Sequence, residues 1–448
     1  MPDDPLPLDY RREVLEGVVK TLCAGESCSI VGVGSSGKSN LARHLSRADV
    51  RLHYFGLDAP HTVVLYINAK PFAQQPLSNL YLHILERLIN ALTELDGTFT
   101  ATIPTLTDWL HHAEKEPPLL AKRYLDRALA LVFQHNAQRV LLILDDCDDL
   151  IRHAPPHLFC ELRAIRDDHK RRLVYLTLTR RELVFLRHDT PEYNEFFELF
   201  DAAGHIFPLP MYSETESAQM LRRLAARQQP PRELTPSQLR LMYEWTGGHA
   251  GLLRRVFFAT LHTWDITASD WIERLSEQAD IEAECCTIWT DLEMEEQEDL
   301  LRLVACETPS PEGVRRLIRL DIVRRGTEGD KCFSPLFAAF VRRELAKRAA
   351  SKPIEFDASG GVRADGVRVG DLTPPECELL RYLLSRRGQA CGRAELLEVM
   401  FAAERTAPTA RLHSPPVTRL QQYIDRLKQR LGSAGARLQP YGDGYRLI

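Results

Sequence analysis

The sequence predicts an α/β protein: a parallel-sheet core holding a glycine-rich loop, then a helical region, then two small units of helices and short hairpins. Three observations carry this prediction. The β-branched run Ser29-Ile30-Val31 leads into Gly32-Val33-Gly34-Ser35-Ser36-Gly37-Lys38-Ser39 and then into the helical spacing of Asn40 to Leu45, which is strand, loop, helix. Strand-length apolar runs recur at 63–67, 140–144 and 173–178, separated by helical patterns. From Ile354 onward the pattern changes to short strands and turn signals.

A chain of 448 residues is too long for one core and suggests about three domains. The longest apolar runs are strand-length, so no membrane partner is expected. The acidic, proline-rich start Met1-Pro2-Asp3-Asp4-Pro5 is unlike a signal peptide. The ten cysteines are scattered without a CxxC pair, and Cys285-Cys286 are adjacent. That usage suits reduced thiols in a cytoplasm and neither a zinc site nor a disulfide framework. Net charge is −5, but residues 352–448 carry 15 Lys and Arg against 11 Asp and Glu, a net of +4, while the remainder carries 42 against 51, a net of −9. Only the C-terminal piece is basic, which makes it the part to examine for nucleic-acid contact.

In chain order, Asp9 to Leu22 reads as an amphipathic helix and His61 to Asn68 as a buried strand. Helices are expected over Leu77 to Leu95 and Leu119 to His135, with Thr98 to Thr107 a polar loop between them. The loop from Gly32 to Ser39 is the GxxxxGK[ST] pattern in its required context. Its glycines permit a tight turn, so that the N–H groups of Gly32, Val33, Gly34, Ser35, Ser36, Gly37 and Asn40 and the positive end of the next helix converge on phosphate. Lys38 would neutralise the outer phosphates and Ser39 would offer a hydroxyl to Mg²⁺. ATP or ADP with Mg²⁺ is the expected ligand of this P-loop NTPase core. The strand Arg139 to Leu144 ends in Asp145 and Asp146, the Walker B arrangement. Asp145 can hold Mg²⁺ through its water shell, and Asp146 can orient or deprotonate the attacking water. Asp148 and Asp149 follow, so a solvated acidic turn is the alternative there.

Pro155 to Lys170 reads as helix and Leu173 to Arg180 as a strand with polar residues at its end. A further strand after the Walker B strand resembles the AAA+ and STAND branch of P-loop ATPases. The resemblance implies a γ-phosphate sensor at that strand end, matched by Thr179 and Arg180; the sequence does not separate Arg180 from Arg181. His205 to Pro210 would be the last core strand, and Ser213 with Glu216 has capping-box spacing. Helices over 234–258 surround Thr246-Gly247-Gly248-His249-Ala250-Gly251. This resembles the STAND helical lid, whose GxP motif contacts adenine and maps to His249 and Ala250, with alanine in place of proline. A plain helix-to-helix turn is the other reading. Tyr10-Arg11-Arg12-Glu13 keeps the Arg-Glu of the family's N-terminal motif but has Arg11 where the family has glycine. Helix, helix, hairpin and helix between Asp291 and Lys347 look like the inner winged helix of the same family.

At the C-terminus, Asp365-Gly366 marks a hairpin, Thr373 and Glu376 a capped helix, Gly388 its end, and 393–401 and 416–431 two further helices before a last hairpin at 441–448. Leu372-Thr373, Glu376, Leu379-Leu380, Gly388, Arg393, Leu396-Leu397, Ile424 to Leu431 and Gly442 to Leu447 resemble the OmpR/PhoB-type winged helix-turn-helix. The segment 402–415 departs from it, being longer and holding three prolines. The third helix would be the recognition helix. Thr418, Arg419, Gln421, Gln422, Arg426, Lys428 and Arg430 would reach bases and phosphates of double-stranded DNA, and Arg446 on the hairpin the minor groove or its phosphates. A solvated helix face, or a winged helix that docks protein, is the alternative.

The expected organisation is a P-loop ATPase core (1–210), a helical lid (211–288), an inner winged helix (289–350) and an OmpR/PhoB-type winged helix (353–448). Together the resemblances imply an ATP-controlled, DNA-binding transcription regulator that self-associates in the ATP state and has a protein partner such as RNA polymerase. A DNA-loading or remodelling ATPase, and a defence or signalling scaffold, are the rival expectations.

Overall fold

Apolar runs buried on both faces become parallel strands, and the helical patterns between them become the layers that cover the sheet. The computed structural model describes residues 5–95, 97–115, 120–187, 190–202, 204–261, 271–327, 329–350, 354–357, 361–365, 367–370, 372–387, 389–406, 415–441 and 444–447. The expected features at Gly366, Gly388, Gly442-Asp443, the linker residues 351–353 and the stretch 407–414 lie outside these. The chain divides into two compact units, Met1–Arg342 and Arg343–Ile448.

The first unit begins with α1 (Arg12–Cys23), β1 (Cys28–Val31), α2 (Lys38–Ser46), α3 (Ala48–Phe55) and β2 (Thr62–Asn68). Next come α4 (Leu77–Thr93), α5 (Ile103–Lys115), α6 (Ala121–Gln134), β3 (Arg139–Asp145), α7 (Asp148–His153) and α8 (His157–Asp168). The sheet is completed by β4 (Leu173–Thr179) and, after α9 (Leu183–Leu186) and α10 (Pro191–Phe197), by β5 (Ile206–Pro208). The five strands are parallel in the order β2-β3-β4-β1-β5. Alternation along β2 and β3 turns Val63, Leu65, Ile67, Val140, Leu142 and Leu144 toward the core shared with α4, α6 and α8. Val31 is in register with Thr179 and Asp145 with Leu178, so the loop after β1 opens beside the ends of β4 and β3. Ligands of open α/β sheets bind at such carboxyl ends.

One expectation and one alternative reading are corrected. Residues 103–107 belong to a helix instead of a polar loop, because Pro104 fits a first helical turn and Leu106 and Ala113 bury one face. Asp148 and Asp149 are the first turn of α7, where carboxylates suit the positive helix end, and Asp148 is buried.

The unit continues with α11 (Glu214–Ala226), α12 (Pro236–Thr246), α13 (Ala250–Thr260), α14 (Trp271–Ser276) and α15 (Ala279–Thr290). The capping box expected at Ser213 is formed, with Glu216 N–H donating to Ser213 Oγ at 3.2 Å and Ser213 N–H to Glu216 at 2.9 Å. Then follow α16 (Met294–Val304), α17 (Pro311–Arg319), the hairpin of β6 (Val323–Gly326) and β7 (Gly329–Cys332), and α18 (Pro335–Ala350), whose first residues close this unit.

The second unit holds an antiparallel sheet of β8 (Glu355–Phe356), β9 (Val362–Ala364) and β10 (Val367–Arg368). Three helices, α19 (Pro374–Ser385), α20 (Arg393–Thr406) and α21 (Pro416–Leu431), precede the hairpin of β11 (Leu438–Tyr441) and β12 (Gly444–Leu447). Leu379, Leu380, Leu383, Leu396, Ile424 and Leu427 form its core. Leu427 is fully buried, so Leu427→Ala is expected to destabilise this unit by about 2–5 kcal/mol. Denaturant titration of the full chain checks this as an earlier loss of α-helical signal.

Candidate functional site

The loop between β1 and α2 is shaped by two left-handed residues, Ser35 and Gly37, and the second leads directly into α2 at Lys38. A cavity of about 590 Å³ opens on it, lined by Gly34, Ser35 and Gly37 of the loop, Lys38, Ser39 and Asn40 at the start of α2, Asp145 at the end of β3 and Asp146 after it, Arg180 beyond β4, and Arg254 and Arg255 of α13. An adjoining cavity of about 600 Å³ shares Asn40, Met220 and Arg254 with it and is walled by Pro5, Leu6, Pro7, Tyr10, His44 and Tyr212. The topology thus gathers the glycine-rich loop, both carboxylates at the end of β3 and one strand-end arginine at one cavity, which α13 also lines.

Lys38 is buried, and its ammonium donates to the carbonyls of Gly32 and, at 2.9 Å, Val33. Burial pulls its pKa down, while Asp148, Asp291 and Asp145 act in the opposite direction. Asp145 accepts the Tyr66 hydroxyl at 2.7 Å and the Asp146 amide at 3.0 Å. Asp146 sits at φ 50° with Lys70 and Arg180 each 3.6 Å from its carboxylate. Ser39 and Asp145 are a donor pair that fits Mg²⁺, an ion that keeps waters and substrate phosphates in its shell. Among the described residues there is no cluster of three or more His, Cys, Asp or Glu for a protein-only metal centre.

The two arginines after β4 separate cleanly. Arg180 faces the cavity and pairs with Asp146 and, at 3.0 Å, Asp291. Arg181 turns away to Glu293 at 2.6 Å, to Glu296 at 3.6 Å and to the Asp291 carbonyl. Asp148 accepts the Arg180 amide at 3.0 and 3.2 Å, so this buried carboxylate fixes the strand end. Thr179 does not line the cavity: it is fully buried and its hydroxyl donates to the Arg181 carbonyl at 2.5 Å.

His249 is also buried away from the cavity. Its Nδ1 accepts the Leu252 amide at 3.2 Å, capping α13, so Nε2 carries the proton donated to the Gly34 carbonyl at 2.8 Å. The preceding Gly247 and Gly248 are both left-handed, and a Cβ on either would meet a backbone carbonyl, of Phe333 or Tyr212, at 2.0 Å. The stretch is a helix-to-helix turn whose histidine bridges to the phosphate loop. Arg11 takes φ 56°, the conformation glycine would take freely, and is held there by its bond to the Met211 carbonyl at 3.1 Å and by the Tyr212 ring 4.2 Å away.

Asp291, Asp148, Tyr66 and Arg254-Arg255 carry no motif of their own. The arginine pair lies one helical turn past Gly251, where spacing alone could have pointed to it. Asp291 stands 257 positions from Gly34, and nothing local signals the contact.

In the second unit, Leu420, Ile424, Leu427 and Leu431 bury one side of α21. Thr418, Gln421, Gln422, Arg426 and Arg430 are exposed. Arg426 and Arg430 pair at 3.2 and 3.7 Å with Glu376, which is fully buried. Gln421 accepts the Tyr445 hydroxyl and donates to Asp425 at 3.0 Å. Lys428 and Arg446 lie over the Tyr445 and Tyr441 rings at 5.7 and 5.8 Å. Arg419 departs from its expected outward position: it pairs with Glu404 at 3.0 Å, both about one-tenth exposed, because position 419 falls on the flank of α21 that faces α20.

The parallel sheet, the loop and the strand-end carboxylates are arranged as in a P-loop fold. Residues 8–176 match the family model described as AAA ATPase domain, and no curated protein matches the chain. Among solved structures, the chain is similar to the Walker-type ATPase paby2304 of Pyrococcus abyssi, with TM-score 0.44 and 15% identity over 76% of this chain and 97% of that one. It is also similar to Cdc6p of Pyrobaculum aerophilum, with TM-score 0.37 and 13% identity over 78% and 97%. The Orc1 protein of Aeropyrum pernix in complex with DNA gives TM-score 0.33 and 13% identity over 100% and 91%. Among the described residues no helix is long and apolar enough to cross a membrane.

Burial holds the His249 pKa below the usual 6.5. The unfolded chain therefore takes up this proton first as pH falls, so the contribution of His249 to stability is complete above about 6.5 and declines below it. His44, depressed by burial in the same way, adds to the trend. Thermal unfolding at pH 7.5 and 5.5 is expected to show a smaller drop in His249→Ala than in the wild-type chain.

Proposed function

We propose that this protein is a nucleotide-controlled switch: an ATPase of STAND-like type that binds ATP or ADP with Mg²⁺ and uses its C-terminal unit, as a winged helix-turn-helix, to engage double-stranded DNA and regulate transcription. The observation that carries the first part is the meeting of Gly34, Ser35, Gly37 to Asn40, Asp145, Asp146 and Arg180 around one cavity. The loop amides and Lys38 bind the phosphates, and Ser39 with Asp145 holds Mg²⁺, which shields phosphate charge when bound. Asp146 orients the attacking water, and Arg180 reads the terminal phosphate. The adjoining cavity beside Tyr10 and Tyr212 accommodates the base. The two cations 3.6 Å from Asp146, Lys70 and Arg180, stabilise its ionised form and make it a weaker base, which supports slow turnover. The core (1–210), lid (211–288) and inner winged helix (289–350) act together, and the triphosphate state favours self-association.

For the C-terminal unit, 353–448, three helices followed by a hairpin support the DNA reading, with Thr418, Gln421, Gln422, Arg426, Lys428, Arg430 and Arg446 as the contact set. The pairing of Arg426 and Arg430 with Glu376 specifically favours a second reading, a protein-docking face, because it reduces the charge presented to phosphates.

Lys38→Ala is expected to weaken nucleotide binding by about a hundredfold or more, about 2.7 kcal/mol, read by calorimetric titration. Asp146→Asn is expected to keep binding but lose about a hundredfold in turnover. Selection from a random DNA pool is expected to enrich one motif, retained better with ATP than ADP and lost as salt rises. No retention at low salt in either state would sink the DNA reading and leave protein docking.

A further inference from the structure

The carboxylate of Asp291, the residue that ends α15, reaches into the phosphate loop. Its Oδ2 accepts the Gly34 amide at 2.6 Å and its Oδ1 accepts Arg180 Nη1 at 3.0 Å. Asp291 is 8% exposed, so its carboxylate is held out of water, while Arg180 remains open to the cavity. The approach depends on the absence of a side chain at position 34, where a Cβ would lie 2.7 Å from Oδ2 and 3.1 Å from Thr287 Cγ2. Beyond Asp291, Glu293 and Glu296 pair with Arg181, so the same short segment is fastened to the end of β4.

A carboxylate held between a loop amide and a guanidinium has the partners a phosphoryl group would have at that place. Which phosphate it stands for follows from Arg180. That side chain also contacts Asp146, where the attacking water is placed, so Asp291 lies at the reacting, outermost end of the nucleotide site. A terminal phosphate and a buried carboxylate cannot share one amide and one arginine, because like charges in a low-dielectric site repel strongly. A diphosphate makes no such demand.

We propose that Asp291 is the residue that sets diphosphate against triphosphate specificity: it fills the terminal-phosphate position, is compatible with a nucleoside diphosphate, and must be displaced by a triphosphate. Because Asp291 ends α15 and leads into 292–342, its displacement frees that segment from the loop. This inference rests on the nucleotide reading given above.

The test is titration of the full chain with Mg·ADP and with a non-hydrolysable Mg·ATP analogue, in the wild type and in Asp291→Asn and Asp291→Ala. The wild type is expected to prefer the diphosphate. Both variants should tighten triphosphate binding about tenfold or more, which corresponds to 1.4 kcal/mol, with diphosphate binding changed less than about threefold. Hydrogen exchange on the wild type supplies a readout independent of variant folding. Amides of 287–296 should exchange faster with the triphosphate analogue than with diphosphate. An unchanged affinity ratio in cooperatively folding variants, or equal exchange with both ligands, would overturn the Asp291 assignment alone. Absence of binding by wild type and both variants would instead overturn the nucleotide reading.

Discussion

A tight loop must find partners for its own backbone N–H and C=O groups, and the helices that follow the sheet supply them. Asp291 accepts from Gly34, the carbonyl of Gly34 accepts from His249, and the Gly251 amide donates to the carbonyl of Ser35. Each of these partners comes from α13, its cap or the end of α15, so the helices that close over the sheet are tied to the loop itself. A ligand that alters the hydrogen bonding of residues 32–38 therefore alters the anchorage of α13 and α15. That coupling would need no long pathway, because the contacts are direct.

The carboxylates of the site are graded by their partners. Asp145 is fixed by the Tyr66 hydroxyl and its neighbour's amide, and Asp148 by the Arg180 amide. Asp146 instead lies between two cations on different elements, Lys70 and Arg180. Moving Arg180 is thus felt at both Asp146 and Asp291, and under the proposed function a phosphate that captured the arginine would act on Asp146 and on the α15 anchor together. In the second unit a buried carboxylate organises the fold in a similar way. Glu376 needs the compensation supplied by Arg426 and Arg430, which joins the first turn of α19 to α21.

Much of this was legible in the sequence because it is written locally. The strand, glycine loop and helix at 29–45, the acidic end of β3 and the caps at Ser213 and Glu376 all depend on residues within a few positions of one another. The helix at Ile103–Lys115 was hidden by threonines that read as loop, although Leu106 and Ala113 carry a helical spacing. Thr179 and Arg419 show the other limit: pattern gives the element, but which flank of it faces a cavity or a neighbouring helix is decided by packing. The contact of Asp291 with Gly34 was not legible at all, since a C-terminal helix residue has no periodicity that names a partner 257 positions away.

The most direct measurement is a crystal structure of the full chain with a non-hydrolysable ATP analogue and Mg²⁺. The account requires the phosphates to lie against residues 34–39, with Arg180 on the terminal phosphate and the Asp291 carboxylate withdrawn from the Gly34 amide. A nucleotide bound elsewhere, or a terminal phosphate in the loop with the Gly34 to Asp291 bond intact, would contradict it.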